Sequence, residues 1–254
     1  MKQFLKFYLV LALATVATHA AELTNADAVL DFSVTKNTSY ESYTAAFTQS
    51  ITTPAMQMTG TLTFKRPAQM RIEMNGALPM LIVFGSDHIF WQEMIKGGVT
   101  NVMKMDLENV PANNPVVAML KESLTKMDPQ AQLIEAKERY AFTYLPSTEL
   151  HGQRMYVLVG ELRADAKLSP QEAAMAANFG ENKLFIGKQD GFMHRFETFD
   201  KAGSNVVVAL DITNLKLNPP LADELFVYKP ATGVHIIDMA QAMLQMMNQP
   251  PAGK

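Results

Sequence analysis

The sequence predicts a mainly β protein with added α-helices: a long antiparallel meander whose apolar faces need a cover. Three observations predict it. Residues 56–74 alternate apolar and polar on either side of a Lys65-Arg66-Pro67 corner. Further short apolar runs, separated by Gly, Asp and Ser turns, recur along the rest of the chain. Two or three stretches switch from a period of two to a helical period. Alternation gives a strand one greasy and one wet face, and regular spacing of such strands marks an open or closed β architecture.

The first twenty residues read as a secretory signal. Lys2 and Lys6 form a basic start, 7–17 is apolar, and Thr18-His19-Ala20 offers small residues for cleavage after Ala20. No later run reaches about 18 apolar residues, so a soluble exported protein is expected. With that leader removed, 20 of the 22 basic residues stand against all 25 acidic ones, a formal charge of −5. That balance leaves no nucleic-acid footprint. With no cysteine, the chain has no disulfide framework, thiol nucleophile, thiolate-bound metal or lipid-modified cysteine. Eighteen Met against one Trp is an unusual apolar palette. Met is adaptable and suits both irregular cores and surfaces that meet variable greasy ligands.

Residues 24–36 are expected to form a first helix, with Thr24 as N-cap and Asp27 three residues on. Strand-like residues fill 39–53. In 56–65 the apolar set is Met56, Met58, Leu62 and Phe64, and after the corner it is Met70, Ile72 and Met74. Pro67 cannot donate to a ladder and suits the corner. The run 78–84, the Gly85-Ser86-Asp87 turn and 88–94 form a hairpin. Gly97-Gly98 leads to a strand over 99–105. Asn114-Pro115 is a cap with Pro at the first helical position, and Val116, Val117, Leu120, Leu124 and Met127 follow at helical spacing. Asp128-Pro129 reads as the end of that helix. Strands are expected at 131–136, 140–145 and 154–162. Ser169-Pro170-Gln171-Glu172 is a capping box for a short helix over 170–179. Strands at 183–186, 192–199 and 206–217 follow, then a last short one at Phe226 and Tyr228. Residues 235–248 are expected to be a Met-rich amphipathic helix, with Ile236, Met239, Ala240, Met243, Leu244 and Met247 in one stripe. The Pro/Gly tail 249–254 is expected to be disordered. No repeat or linker divides 21–234, so one domain is expected there.

Catalysis needs converging groups, and the sequence offers few. The histidines at 19, 88, 151, 194 and 235 make no HxxxH or HxH pair. Gly85-Ser86-Asp87-His88 is a hairpin turn rather than G-x-S-x-G. No enzyme activity, cofactor or metal is therefore expected. The apolar surface in excess leaves two readings open, a packed barrel core and a cavity for a greasy ligand.

Phe64-Lys65-Arg66-Pro67, preceded by Phe47-Thr48-Gln49 and Gly60-Thr61-Leu62, resembles the outer-membrane lipoprotein carrier protein of Gram-negative periplasms (LolA) and its superfamily. The hairpin 82–92, Asn114-Pro115-Val116-Val117, and the ending Phe226-x-Tyr228-x-Pro230-x-x-Gly233-Val234 with Ile236-Ile237-Asp238 extend the resemblance. Ile72 stands where the family often has an aromatic, the segment 150–185 is longer, and the helix after 235 is an addition. The resemblance implies an open antiparallel β half-barrel covered by lid helices around a hydrophobic cavity. It implies a soluble periplasmic carrier of lipoprotein acyl chains or related lipids, an inner-membrane transporter that loads it, an outer-membrane receptor, and a monomer. The other reading of the same fold is a periplasmic sensor or protein-interaction domain. Arg66 resembles the family's arginine that hydrogen-bonds lid carbonyls, and so is the expected lid latch. The expected cavity residues are Phe47, Met58, Leu62, Phe64, Met70, Ile72, Leu81, Val83 and Trp91, with Val117, Met119 and Leu120 from the lid helix.

Overall fold

The computed structural model describes residues 22–52, 55–108, 129–168, 173, 176–239 and 241–242. Among them, twelve strands form one sheet in the order β12-β6-β5-β4-β3-β2-β1-β11-β10-β9-β8-β7. The strands are β1 (Ser42–Ile51), β2 (Met56–Lys65), β3 (Gln69–Asn75), β4 (Met80–Phe84), β5 (Ile89–Lys96) and β6 (Val99–Asp106), then β7 (Tyr140–Leu150), β8 (Gln153–Leu162), β9 (Phe179–Gly187), β10 (Met193–Asp200), β11 (Val206–Leu217) and β12 (Ile236–Asp238). The sheet is open, with β12 and β7 at its edges, and every pairing but β12 on β6 is antiparallel. The pairing of β1 with β11 joins two meanders that lie far apart in sequence.

Among the described residues two helices, α1 (Ala26–Thr38) and α2 (Pro129–Arg139), lie on one face, here called inner. Helix α1 buries Ala26, Val29, Leu30, Ser33 and Asn37, a helical stripe. Its cap is Asn25 rather than Thr24: the Asn25 side chain accepts from the Ala28 amide at 2.8 Å. Helix α2 replaces the strand expected over 131–136. Its Gln, Glu, Ala, Lys and Arg are helix formers, and Pro129 stands at its first position. Val29, Leu30 and Leu133 pack with Tyr156, Leu158, Leu184 and Ile186 of β8 and β9.

Cross-strand register defines the inner face. Tyr43, Phe64, Met70, Phe84, Phe90 and Met105 stand opposite one another from β1 to β6. They fall into two packed clusters, around Phe47, Phe64 and Ile212 and around Met70, Phe84 and Met105. The outer face has its own cover. The chain after β11 makes a 3₁₀ turn, Asp223–Phe226, that buries Phe226. Tyr228 then stacks on Trp91 with ring centroids 4.9 Å apart and donates to Glu93 at 2.5 Å. This strap replaces the strand expected at Phe226 and Tyr228, because side-chain anchoring rather than a ladder holds it.

Two further expectations change. Ile236–Asp238 is a strand paired parallel to β6, and helix begins only at Met239. An edge strand offers unpaired amides and carbonyls, and β-branched Ile236 and Ile237 accept that pairing. The lid helix expected after Asn114, most of the helix over 170–179, the leader, and 243–254 lie outside the described residues.

Candidate functional site

The inner face of the β7–β11 half is not filled. Tyr140 and Phe142 of β7, Asn182 and Leu184 of β9, Met193 and Phe196 of β10 and Leu210 of β11 surround a cavity of about 220 Å³. Leu133 and Ala136 of α2 form its roof. Register explains the convergence: Phe142 faces Gly160, Leu158 faces Leu184, Leu184 faces Phe196, and Phe196 faces Leu210. Gly160 lets the Phe142 ring lie across β8, since a Cβ there would sit 2.5 Å from the ring. A second hollow of about 290 Å³ shares Tyr140, Asn182 and Phe196 and runs outward past Arg139, Leu162, Phe179, Gly180, Thr198 and Val208. Together the two reach the size of small-molecule sites, about 300–1,000 Å³, and are lined as such sites are, mostly by apolar groups with few polar ones.

The roof is tied down through α1. Lys137 of α2 pairs with Asp31 of α1. The C-terminal end of α1 is held from two sides. Ser33 and Asn37 donate to the Gly191 carbonyl at 2.5 and 3.0 Å, and the Tyr40 hydroxyl donates to the Asp190 carbonyl at 2.5 Å. Burial, and then the nearby Asp190 charge, push the Tyr40 phenol above its ordinary value. From the other side Arg66 donates through Nε to the Tyr40 carbonyl at 2.9 Å and through Nη2 to the Asn37 carbonyl at 3.0 Å. Its guanidinium also lies 5.9 Å from the centre of the Phe64 ring. A planar guanidinium can serve several carbonyls at once while its stem covers apolar surface.

A third hollow, about 480 Å³, is polar and lies between β8, the β9–β10 turn and β11. It contains His151, Gln153, Asp190, His194, Thr213 and Asn214. His194 and Asp190 are 2.9 Å apart, and Asp190 also accepts from the Phe192 amide, which fixes the turn. Among the described residues no group of three His, Asp or Glu side chains is placed to hold a metal ion.

The sequence-predicted cavity residues fall in three places. Phe47, Leu62, Phe64, Met70 and Ile72 are on the inner face but within or against packed clusters, and Met58 is half-buried on the same face. Leu81, Val83 and Trp91 point to the outer face, opposite the others. Val117, Met119 and Leu120 lie outside the described residues. None of the nine described ones lines the cavity under α2. Sequence reasoning missed Phe142, Leu184, Phe196 and Leu210, although the alternation of Tyr140, Phe142 and Tyr144 carried a signal for one wall.

Residues 38–150, from the end of α1 through β7, match the family described as outer membrane lipoprotein carrier protein LolA. No curated protein matches the chain. Among solved structures, LprF from Mycobacterium bovis is 11% identical, with 79% of this chain and 97% of that one covered and a TM-score of 0.47. The lipoprotein LppX of Mycobacterium tuberculosis is 10% identical, with 77% and 98% covered and a TM-score of 0.44. MucB in the Pseudomonas aeruginosa MucA/MucB complex is 13% identical, with 80% of this chain covered and a TM-score of 0.43. The chain spans 62% of that MucB chain's length. An open β-sheet with helices across one face and an apolar hollow beneath them defines the class of fold. Over residues 38–150 the chain is similar to that lipoprotein carrier family. Among the described residues no helix is long and apolar enough to cross a membrane.

Proposed function

We propose that this protein is a soluble carrier, exported to the periplasm by its leader, that holds an acyl chain of a lipoprotein or related lipid and moves it towards the outer membrane. The observation that carries the reading is the apolar cavity between α2 and strands β7 to β11, in a chain whose residues 38–150 match the lipoprotein carrier family. Each buried CH₂ contributes about 0.8 kcal/mol, so a long chain leaves a membrane readily only for an equally apolar shelter. No bond need be made or broken, only capture and release. Arg66 acts as the latch: its two bonds to carbonyls at the end of α1 hold α1, and through it α2, over the cavity. A membrane transporter loads the carrier and a receptor unloads it.

Native mass spectrometry of the exported protein, purified from the cells that make it, tests the reading. A co-purified acylated species is expected. Ala136→Trp, which fills the roof side of the cavity, loses that species while keeping its circular dichroism spectrum. A lipid-free wild type that also takes up no fluorescent long-chain acyl probe would sink the carrier reading. If that protein instead retained a specific protein partner, the fold would serve as a sensor or interaction domain.

A further inference from the structure

Apart from the Tyr140 phenol, the cavity under α2 has one polar side chain in its lining, and that one is well buried. Asn182 of β9 is 8% exposed, and it borders both the inner cavity and the outward hollow. Its cross-strand neighbour Thr198 is 9% exposed and donates its hydroxyl to Asn182 Oδ1 at 2.8 Å. A carboxamide has two N–H donors besides its oxygen. With the oxygen engaged, Nδ2 has no acceptor among the described residues. Nδ2 is not one of the fully buried side-chain atoms left without a partner, so it opens onto the hollow, where an acceptor on a ligand can meet it. The outward hollow leads past Arg139 of α2, which pairs with Glu135 at 2.9 Å. Apolar cavity, single amide donor and cationic residue thus follow one another from the inside outward.

We infer that Asn182 reads the oxygen-bearing end of the bound chain. Its Nδ2 donates to an acyl carbonyl or carboxylate oxygen, with Thr198 fixing the amide's orientation. The hydrocarbon tail lies inward against Phe142, Leu184 and Phe196, and the head continues outward past Arg139. The inference rests on the carrier reading and adds the residue that tells an acyl chain from a plain hydrocarbon. The shared chemistry is an oxygen acceptor at the end of an alkyl chain, which an ester or a free acid supplies.

Competition with a bound apolar fluorophore, N-phenyl-1-naphthylamine, on the delipidated mature protein tests it. The competitors are dodecanoic acid, methyl dodecanoate and dodecane. The wild type is expected to favour acid or ester over dodecane by on the order of tenfold, the worth of one hydrogen bond to a buried donor. Asn182→Leu, similar in size, should bring that preference close to one and leave dodecane binding unchanged or tighter. Thr198→Val frees the amide to rotate and should weaken the preference without abolishing it, a second variant should Asn182→Leu fold poorly. Arg139→Met separates the two sources: loss of the acid alone marks a free carboxylate as the ligand, and loss of neither marks an ester. An Asn182→Leu protein that keeps the full preference overturns the inference and leaves the carrier reading standing. A wild type that takes up neither the fluorophore nor any competitor overturns both.

Discussion

A Cβ at Gly60 would lie 2.1 Å from the Glu73 carbonyl oxygen and 2.6 Å from the Phe47 ring. Phe47 is the cross-strand partner of Gly60, and the edge of its ring occupies the space a Cβ would take. Both obstacles are rigid, so Gly60→Ala should destabilise the fold by about 1–3 kcal/mol, the usual cost of overpacking. Urea denaturation checks this, and an unchanged midpoint would mean that the ring moves freely aside. Arg66 is a different case, because it joins parts of the chain remote in sequence. Loss of its bonds to Asn37 and Tyr40 in Arg66→Leu should cost about 1.5–3 kcal/mol, the range for bonds to a charged donor. Stability alone does not separate a latch from a brace. Stopped-flow release of a fluorescent acyl probe does: faster release in Arg66→Leu supports the latch, and an unchanged rate with a lowered midpoint leaves only the brace. The Phe64-Lys65-Arg66-Pro67 motif made Arg66 legible in the sequence. Its partners were not legible, because nothing local links residue 66 to residues 37 and 40.

Strands with one wet face could be read from the sequence, and those covered on both faces could not. In β2 and β3 polar residues alternate with apolar ones, so register and facing follow from the pattern. In β4 the unbroken Met80-Leu81-Ile82-Val83-Phe84 buries both faces, so parity is lost, and Leu81 and Val83 turn out to face away from the helices. Phe90 and Trp91 pose the same problem as adjacent aromatics. The strap decides it, by placing Tyr228 over Trp91 on the outer face. Burial comes first, and then the hydrogen bond and charge of Glu93, in pushing the Tyr228 phenol above its ordinary value of 10.0. A proton held more tightly in the folded state stabilises it fully below pH about 10, and that contribution is lost as pH rises further. Trp91 is the chain's one tryptophan, so its emission reports on the strap. The emission should shift to the red above that pH, before far-ultraviolet circular dichroism changes. Tyr228→Phe, which lacks the proton, should show a flatter alkaline dependence of stability. Equal dependence in the two proteins would rule out the Tyr228–Glu93 bond as the anchor.

At the scale of the whole molecule, what the sequence hid is how two meanders become one sheet. Strand β1 pairs with β2 by a short connection and with β11 across most of the chain, and only the second pairing brings the β7–β11 half beside the β1–β6 half. Long-range pairing leaves no local trace, so the expected cavity residues stand on the β1–β6 half, while the hollow under α2 lies against β7 to β11. The open sheet has two edges, and each is managed differently. Edge strand β7 carries Pro146 and an irregular register between Leu145 and Thr148, both of which discourage a further strand. Strand β6 pairs regularly with β5 and has no such device; β12 covers it in parallel through Ile236, Ile237 and Asp238. Just beyond, Met239 packs against the cluster of Met70, Phe84 and Met105. Removing 235–254 would strip the cover from β6 and Met239 from the inner face at once. An unpaired regular edge recruits the nearest available strand, which in a concentrated solution is another copy's β6. The truncated protein should therefore show a sedimentation coefficient that rises with concentration, while that of the mature full-length chain stays constant. Lys or Pro placed in β6 of the truncated form, at Val102 or Met103, should restore constancy. A truncated protein whose sedimentation is independent of concentration would mean that β12 is not what keeps this edge from pairing.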